Sequence, residues 1–366
     1  AYEISLGLVG SEMCIRDNIC TLHKITRRGT FMNIRDIARL ANVTPGTVSK
    51  VLNNYPDISE ATRQHVLQII KENQYTTKNG GRKFKQAVTP RIGLVSENVY
   101  NWVSETMQNL LSVRFHNADY TVLSFQDNYF SQNKNEKFQE LLTYIDRHQL
   151  TGLIYFGGNF EDVPADSFAA LNCPVIFVNT VLPPDNMMTA TTYSSVQVNH
   201  YETAYWQMES LIKNGHSHIC MLISSKIDTS VYRLRWQAYE DALSSHGLST
   251  EYLAESGYQC ERAYRELTEV LTMHPEITAI CSISDIVTPA AIRAIHDLGK
   301  IPGKDVHIIS FDGMPSMHYC IPSISTFIQP RDEMAGYIYD LLLGLISDEH
   351  QHQHITFQTR FSPGES

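Results

Sequence analysis

The sequence predicts a small all-α head, built as a helix-turn-helix, followed by a larger α/β body of two lobes. Three observations lead there. Residues 33–75 repeat apolar side chains at helical spacing in three short runs. From Pro90 onward, short apolar runs alternate with amphipathic stretches, the pattern of parallel sheets covered by helices. A length of 366 residues exceeds one ordinary domain, so two to three compact units are expected.

In the head, Asn33 can cap a first helix with Ile34, Ile37, Ala38 and Leu40 inward and Asp36 near its positive end. Ala41, Asn42 and Val43 break it. Thr44 then caps a second helix, with Pro45 at the first helical position, where a missing N–H costs nothing. Val48, Val51 and Leu52 give that helix an inward face. The run 53–57 is a turn, Ser59 caps a third helix with Val66, Ile69 and Ile70 inward, and Tyr75 closes the unit. Two short helices separated by three residues make a helix-turn-helix.

Charge supports that reading. The net charge is -10, yet residues 32–91 carry ten Lys and Arg against four Asp and Glu. A basic head on an acidic body is the asymmetry expected when only one end meets phosphate. The acidic remainder would repel DNA and help to orient the approach.

In the body, strands are predicted at 92–95, 120–125, 152–156, 175–178, 219–223, 279–282 and 306–311. Helices are predicted at 134–148, 201–214, 232–246 and 263–274. About 270 residues of such material exceed one sheet, so two lobes are expected. The divisions are a leader at 1–31, the head at 32–77, a hinge or linker at 78–90 and the body at 91–366. Lobe 1 takes about 91–195 and 330–358, and lobe 2 about 196–329 with the C-terminal end. The leader lacks periodicity, and Met32 opens a better-organised segment. Residues 1–31 read as non-native or disordered, and 5–17 resemble translated sequencing-adapter sequence.

Composition excludes several classes. Hydrophobic residues at 43% with charged residues at 19% describe a globular chain, not a disordered one. No apolar run approaches the ~18 residues of a membrane span. No charged segment followed by a sustained apolar stretch opens the chain, so a cytoplasmic location is expected. Seven cysteines without a CxxC pair suit reduced thiols, not a disulfide framework or zinc site. No nucleophile elbow, phosphate loop, dinucleotide fingerprint or H-E-x-x-H occurs, so no enzyme, cofactor or metal is expected. His350, His352 and His354 alternate, and read as a solvated segment leading into a terminal strand.

The run NIRDIARLANVTPGTVSKVLNN over 33–54, and Thr47 to Asn53 within it, closely resembles the head of lactose-repressor (LacI/GalR) family regulators. The resemblance extends from about Met32 to Ser362. It implies that the second helix lies in the major groove of double-stranded operator DNA, with base-reading positions at Pro45, Gly46 and Lys50. Pro45 and Gly46 offer only shape and apolar contact, whereas Lys50 can donate to guanine O6 and N7. Thr44, Thr47 and Ser49 are candidate phosphate or groove contacts, and Asn53 and Tyr75 complete the candidate DNA-binding set. The linker would become a hinge helix in the minor groove, with Phe84 as the wedge and Arg82 and Lys83 as phosphate or groove contacts. Gly80 and Gly81 each cost such a helix about 1 kcal/mol relative to alanine, so the free hinge is expected to be unfolded.

The body resembles the periplasmic-binding-protein fold, with two lobes of parallel sheet around a ligand cleft. Lys213 to His216, Arg235 to Tyr239, Ser284-Asp285, Phe311 to Gly313 and the run IPSISTFIQP from Ile321 to Pro330 carry the match by their order and spacing. The resemblance implies ligand contacts at Arg235 and Asp312, a guanidinium and a carboxylate able to grip vicinal hydroxyls, or else a structural ion pair. Tyr258 and Trp102 are stacking candidates, Trp102 with a core role as its alternative. Asn179 and Ser284 fill contact positions with changed residue types, and Asp285 reads as the cap of the following helix. The whole implies a cytoplasmic homodimeric transcription regulator, a repressor controlled by a small effector, expected to be a sugar. The alternatives are a purine- or other metabolite-responsive regulator of the same build, and a solute-binding protein.

Overall fold

The computed structural model describes residues 34–52, 58–72, 89–97, 102–127, 133–184 and 191–366. The expectations for 1–31, for Asn53, Tyr75, Arg82, Lys83 and Phe84, and for the hinge at 78–90 as far as residue 88 lie outside the described residues. The chain divides into two compact units, 1–87 and 88–366.

The first unit contains α1 (Ile34–Leu40), α2 (Pro45–Leu52) and α3 (Glu60–Glu72). Ile37, Ala38, Ala41, Val48, Val51 and Val66 form its buried core, with Val43, Ile58, Ile69 and Ile70 packed against it. The break after α1 is made by Asn42, which takes the left-handed conformation at φ 51 that Asn tolerates. Two of the three predicted caps are present, Thr44 Oγ1 accepting from the Thr47 N–H at 3.1 Å and Ser59 Oγ from the Thr62 N–H at 3.3 Å, while Asn33 lies outside the described residues. Leu40 corrects one expectation. It is 52% exposed, because the inward stripe of α1 runs through Ile37, Ala38 and Ala41.

The second unit is built on two six-stranded sheets. The first half contains β1 (Arg91–Ser96), α4 (Trp102–Asn117), β2 (Thr121–Gln126), α5 (Lys134–His148), β3 (Gly152–Phe156), β4 (Val175–Val178) and β5 (Ser194–Val198). The second half contains α6 (His200–Lys213), β6 (Ile219–Ile223), α7 (Tyr232–Ser245), β7 (Leu253–Glu255), α8 (Cys260–Met273), β8 (Ala279–Ser282), α9 (Thr288–Asp297), β9 (His307–Asp312) and β10 (Ser325–Ile328). The chain then runs through α10 (Arg331–Ile346), β11 (His354–Phe357) and β12 (Arg360–Ser362).

Sheet one has the order β11-β5-β4-β3-β1-β2 and is parallel throughout. Sheet two has the order β12-β10-β9-β8-β6-β7, and only its last pair, β10 with β12, is antiparallel. Near-continuous apolar strands such as Ile219–Ile223, buried at every position, are what a sheet covered on both faces requires. α4 and α10 cover one face of sheet one, while Phe138, Phe160, Phe168 and Phe177 fill the other. α8 and α9 cover one face of sheet two, and α6 and α7 the other.

The chain crosses between the sheets after β5, after β10 and between β11 and β12. The first crossing falls beyond Val198 and not at about 195, because β5 pairs with β4 over 194–196 and with β11 over 195–198. The alternating histidines are also less solvated than expected. His352 and His354 are half-buried, and their Nδ1 atoms bond Ser194 Oγ at 3.0 Å and Ser195 Oγ at 2.9 Å. They help to seat β11 on β5. Among the described residues no group of His, Cys, Asp or Glu is arranged to hold a metal.

Candidate DNA-reading and effector sites

In α2 the apolar face, Val48 and Val51, is buried in the head core. Pro45, Gly46 and Lys50 are exposed, and Thr47 and Ser49 are half-buried. A Cβ added at Gly46 would meet only Thr44 Oγ1, at 3.6 Å, so packing within the head does not require glycine there. The first turn of α2 thus offers a low, side-chain-poor surface with a cation one turn further on. Such a helix end can approach base edges closely.

In the body, the carboxyl ends of the two sheets face each other. Asn159, after β3, donates from Nδ2 to the Thr229 carbonyl, after β6, at 2.6 Å. Arg233, in the first turn of α7, pairs with Glu161 at 3.2 Å, and Lys134 at the start of α5 bonds Glu161 at 2.8 Å and Asp162 at 2.7 Å. Open α/β sheets bind ligands in the crevice outside their carboxyl ends.

The floor between the lobes is a closed ring of five buried side chains. Asn179, φ 48 after β4, accepts at Oδ1 from the Val198 N–H at 3.1 Å, which fixes its amide orientation. The same Oδ1 lies 3.2 Å from His200 Nε2, so Nε2 carries the ring proton. His200 Nδ1 then accepts from Arg235 Nε at 3.2 Å. Arg235 Nη2 donates to Asp312 Oδ1 at 3.2 Å, and Gln329 Nε2 donates to the same oxygen at 2.8 Å. Asn179 Nδ2 closes the ring on Gln329 Oε1 at 3.3 Å. No member exceeds 7% exposure, which is why each must be paired.

Arg235 has further anchors. Nη1 donates to the Ile283 carbonyl, and the guanidinium lies 3.5 Å from the Phe311 ring centre and 4.7 Å from that of Tyr232. Ser284 Oγ donates to the second oxygen of Asp312 at 2.6 Å. Gly313 follows Asp312 at φ 77, and a Cβ there would stand 2.7 Å from Ile328 Cα. Glycine is required at this turn so that β9 and β10 can close on each other.

Burial, with the Arg235 charge beside it, holds the His200 imidazole well below its usual range, so it is neutral. Burial and the neighbouring Asp312 push the Asp285 carboxyl up to about 7. Asp285 does not cap the next helix. Ser284 does, accepting at Oγ from the Ile286 N–H, while Asp285 faces inward to take the Met314 N–H at 2.6 Å and the Thr326 hydroxyl at 2.9 Å.

The structure therefore brings Asn179, Arg235, Ser284 and Asp312 together. Tyr258 packs edge-on against Tyr232, and its buried hydroxyl has no hydrogen-bond partner among the described residues. Trp102 stands apart from the ring, half-buried against the core of sheet one, with the Arg331 guanidinium 4.6 Å from its ring centre. His200, Gln329, Asn159 and Glu161 are the members that sequence reasoning missed. Gln329 stands in the motif IPSISTFIQP, which was the available signal. A lone histidine after a strand gives none.

These features define a class of protein: a helix-turn-helix head joined to a two-lobed small-molecule-binding body. Residues 33–78 match bacterial regulatory proteins of the lacI family, and 208–366 match the periplasmic binding protein-like domain. The HTH-type transcriptional regulator MalR of Clostridium butyricum is 33% identical over 332 residues, covering 90% of this chain and 97% of that protein. The HTH-type transcriptional repressor PurR of Aliivibrio salmonicida is 25% identical, covering 88% of this chain and 94% of that one. The lac repressor dimer bound to operator and the anti-inducer ONPF superposes with a TM-score of 0.65 at 19% identity, over 91% of this chain and 98% of that one. The transcriptional regulator CelR in complex with cellobiose gives 0.62 at 20%, over 92% and 99%. The chain belongs to the LacI family of bacterial regulatory proteins. It is a DNA-binding transcription regulator controlled by a small effector. No helix among the described residues is long and apolar enough to cross a membrane.

Proposed function

We propose that this regulator is a cytoplasmic homodimeric repressor of carbohydrate-use genes whose effector is a sugar bound between the lobes, and that it has no catalytic activity. The domain division proposed is a leader at 1–31, a head at 32–77, a hinge at 78–90 and a two-lobed body at 91–366. One observation carries the reading: the buried ring from Asn179 through His200, Arg235 and Asp312 to Gln329 ties together the ends of β4, β9 and β10 and the starts of α6 and α7. A ligand resting on that floor touches both lobes and two of the three crossings, those after β5 and after β10. Binding there biases the lobe arrangement by its differential affinity, with couplings of about 1–3 kcal/mol.

Arg235 uses three of its five N–H groups on protein acceptors, leaving donors for a ligand hydroxyl beside Asp312. Tyr258 adds an enclosed hydroxyl and a ring face from the second lobe, and Trp102 a ring from the first. Related proteins named for a ribose operon repressor and for a cellobiose complex support a sugar, whereas the PurR relatives support a purine as the second reading. In the head, Thr44 to Lys50 would read one half of a near-palindromic operator per protomer.

A thermal-shift panel separates the readings. Cellobiose, maltose, ribose, hypoxanthine and guanine are added to the full chain, and the stabilising class is identified. A neutral sugar should raise the unfolding temperature and release promoter DNA. Stabilisation by the purines alone would overturn the carbohydrate reading.

A further inference from the structure

A second cluster of buried charge lies at the same edge of sheet one and plays no part in the ring. Glu97 follows β1, Asp127 follows β2, Tyr155 is in β3 and Lys137 is in the first turn and a half of α5. Lys137 Nζ bonds Glu97 Oε1 at 2.5 Å and lies 3.6 Å from Asp127 Oδ2, and the Tyr155 hydroxyl donates to Asp127. The exposures differ within the cluster. The side chains of Lys137 and Asp127 are 7% and 2% exposed, and that of Glu97 is 31% exposed.

A buried lysine costs several kcal/mol of desolvation and persists only where its partners neutralise it. Asp127 is the fully enclosed partner, and burial pushes its carboxyl above the usual range. Glu97 is different. Its N–H donates to the Phe156 carbonyl at 3.1 Å, and its Cβ lies 3.9 Å from where a Cβ at Gly157 would be. It therefore sits on the carboxyl edge that bears Asn159, which reaches across to Thr229. Its Oε1 is held by Lys137, while Oε2 takes no hydrogen bond from a described residue. A carboxylate held at one oxygen, with no described partner at the other, on the edge facing the opposite lobe, is an acceptor for a hydroxyl donor.

We infer that Glu97 is the first lobe's specificity contact for a neutral polyhydroxylated ligand, with Lys137 as its positioning residue, and that this carboxylate excludes ligands carrying a phosphate. The inference rests on the sugar reading and deepens it. The open oxygen accepts a ligand hydroxyl, a charge-assisted bond stronger than a neutral one. A phosphate brought to the same edge meets an anion whose cation among the described residues, Lys137, is already shared with Asp127.

The test uses the full chain and three kinds of probe: neutral sugars (cellobiose, maltose, trehalose), phosphorylated sugars (trehalose 6-phosphate, glucose 6-phosphate), and singly deoxygenated versions of whichever neutral sugar binds. Calorimetry is run on wild type and on Glu97→Gln. The neutral sugar is expected to bind wild type about 10- to 100-fold more tightly than the variant, the span of one hydrogen bond to a charged group. One deoxy sugar should lose a similar factor on wild type and almost none on Glu97→Gln. That ligand-side comparison stays informative if the buried Lys137→Met fails to fold. Where it folds, its pattern should match Glu97→Gln, with Lys137→Arg restoring part of the affinity. A wild-type preference for a phosphorylated sugar, or equal binding of the neutral sugar by Glu97→Gln, overturns the inference and leaves the sugar reading standing. Failure of every sugar to bind wild type sinks the sugar reading itself.

Discussion

His200 illustrates how one proton governs a buried network. Arg235 Nε is a donor only, so the His200 Nδ1 that receives it must be unprotonated. Folding thus favours the neutral ring, whose folded pKa lies below the unfolded value of about 6.5. Between those values the unfolded chain takes up a proton that the folded chain refuses, so this contribution to stability is present above pH ~6.5 and lost as pH falls below it. His200→Gln, which keeps one acceptor and one donor, is expected to flatten that acid limb. Unfolding temperatures from pH 5 to 8 check it, and parallel curves for the two proteins would contradict it. Asp285 has the opposite sign. Its carboxyl, raised to about 7 by burial, contributes stability below the unfolded value of 3.8 that is lost as pH rises through about 7. Asp285→Asn should therefore lessen the decline from pH 4 to 7, read by the same melts.

The elements show where sequence reasoning succeeds and where it stops. α2 was legible because its determinants are local: a threonine cap, a proline at the first position and Val48 and Val51 one turn apart. Leu40 was misread because a short helix has room for several apolar stripes, and packing against both α2 and α3 decides which is covered. β1 to β4, β6, β8 and β9 were legible from their apolar runs, whereas β5 (SSVQV), β7 (LAE) and β10 (STFI) were not, because they are short or carry polar residues, and the site was legible only in part. Arg235, Asp312, Asn179 and Ser284 stand in recognisable segments. Their partners are harder to assign, since Gln329 stands in a recognisable run but meets Asn179 across 150 residues, and a histidine at 200 carries no local pattern. Gly46 gives a prediction at this scale. Space around it admits a side chain, and alanine favours helix over glycine by up to about 1 kcal/mol. Gly46→Ala should leave the head as stable or slightly more so, while weakening operator binding, because the added methyl stands on the surface that approaches the bases. Circular dichroism melts and a DNA-binding titration of the same variant check it. Unchanged DNA affinity would show that this turn does not meet the groove.

For the whole molecule, charge and topology divide the labour. The chain's net charge of -10 conceals a division: residues 92–366 carry 15 Lys and Arg against 32 Asp and Glu, while residues 32–91 are basic, so affinity for phosphate is confined to the head. The body sets its polar residues at the carboxyl ends of two sheets that face each other, and the ring beneath them joins the places where the chain passes between lobes. Under the proposed reading, a ligand at that position would be sensed by the packing of both halves, and occupancy of the cleft would become a change in DNA affinity.

The most direct measurement is fluorescence anisotropy of the full chain on its own upstream DNA, across a salt series, with and without the stabilising sugar. Affinity should fall steeply and linearly in log–log form as salt rises, as counterion release demands. Lys50→Ala should weaken binding and relax the sequence preference at one position of each half-site, at a cost of about 1–3 kcal/mol. The sugar should lower affinity at every salt concentration. Binding to this DNA no tighter than to random duplex, with no response to any sugar or purine, would contradict the account.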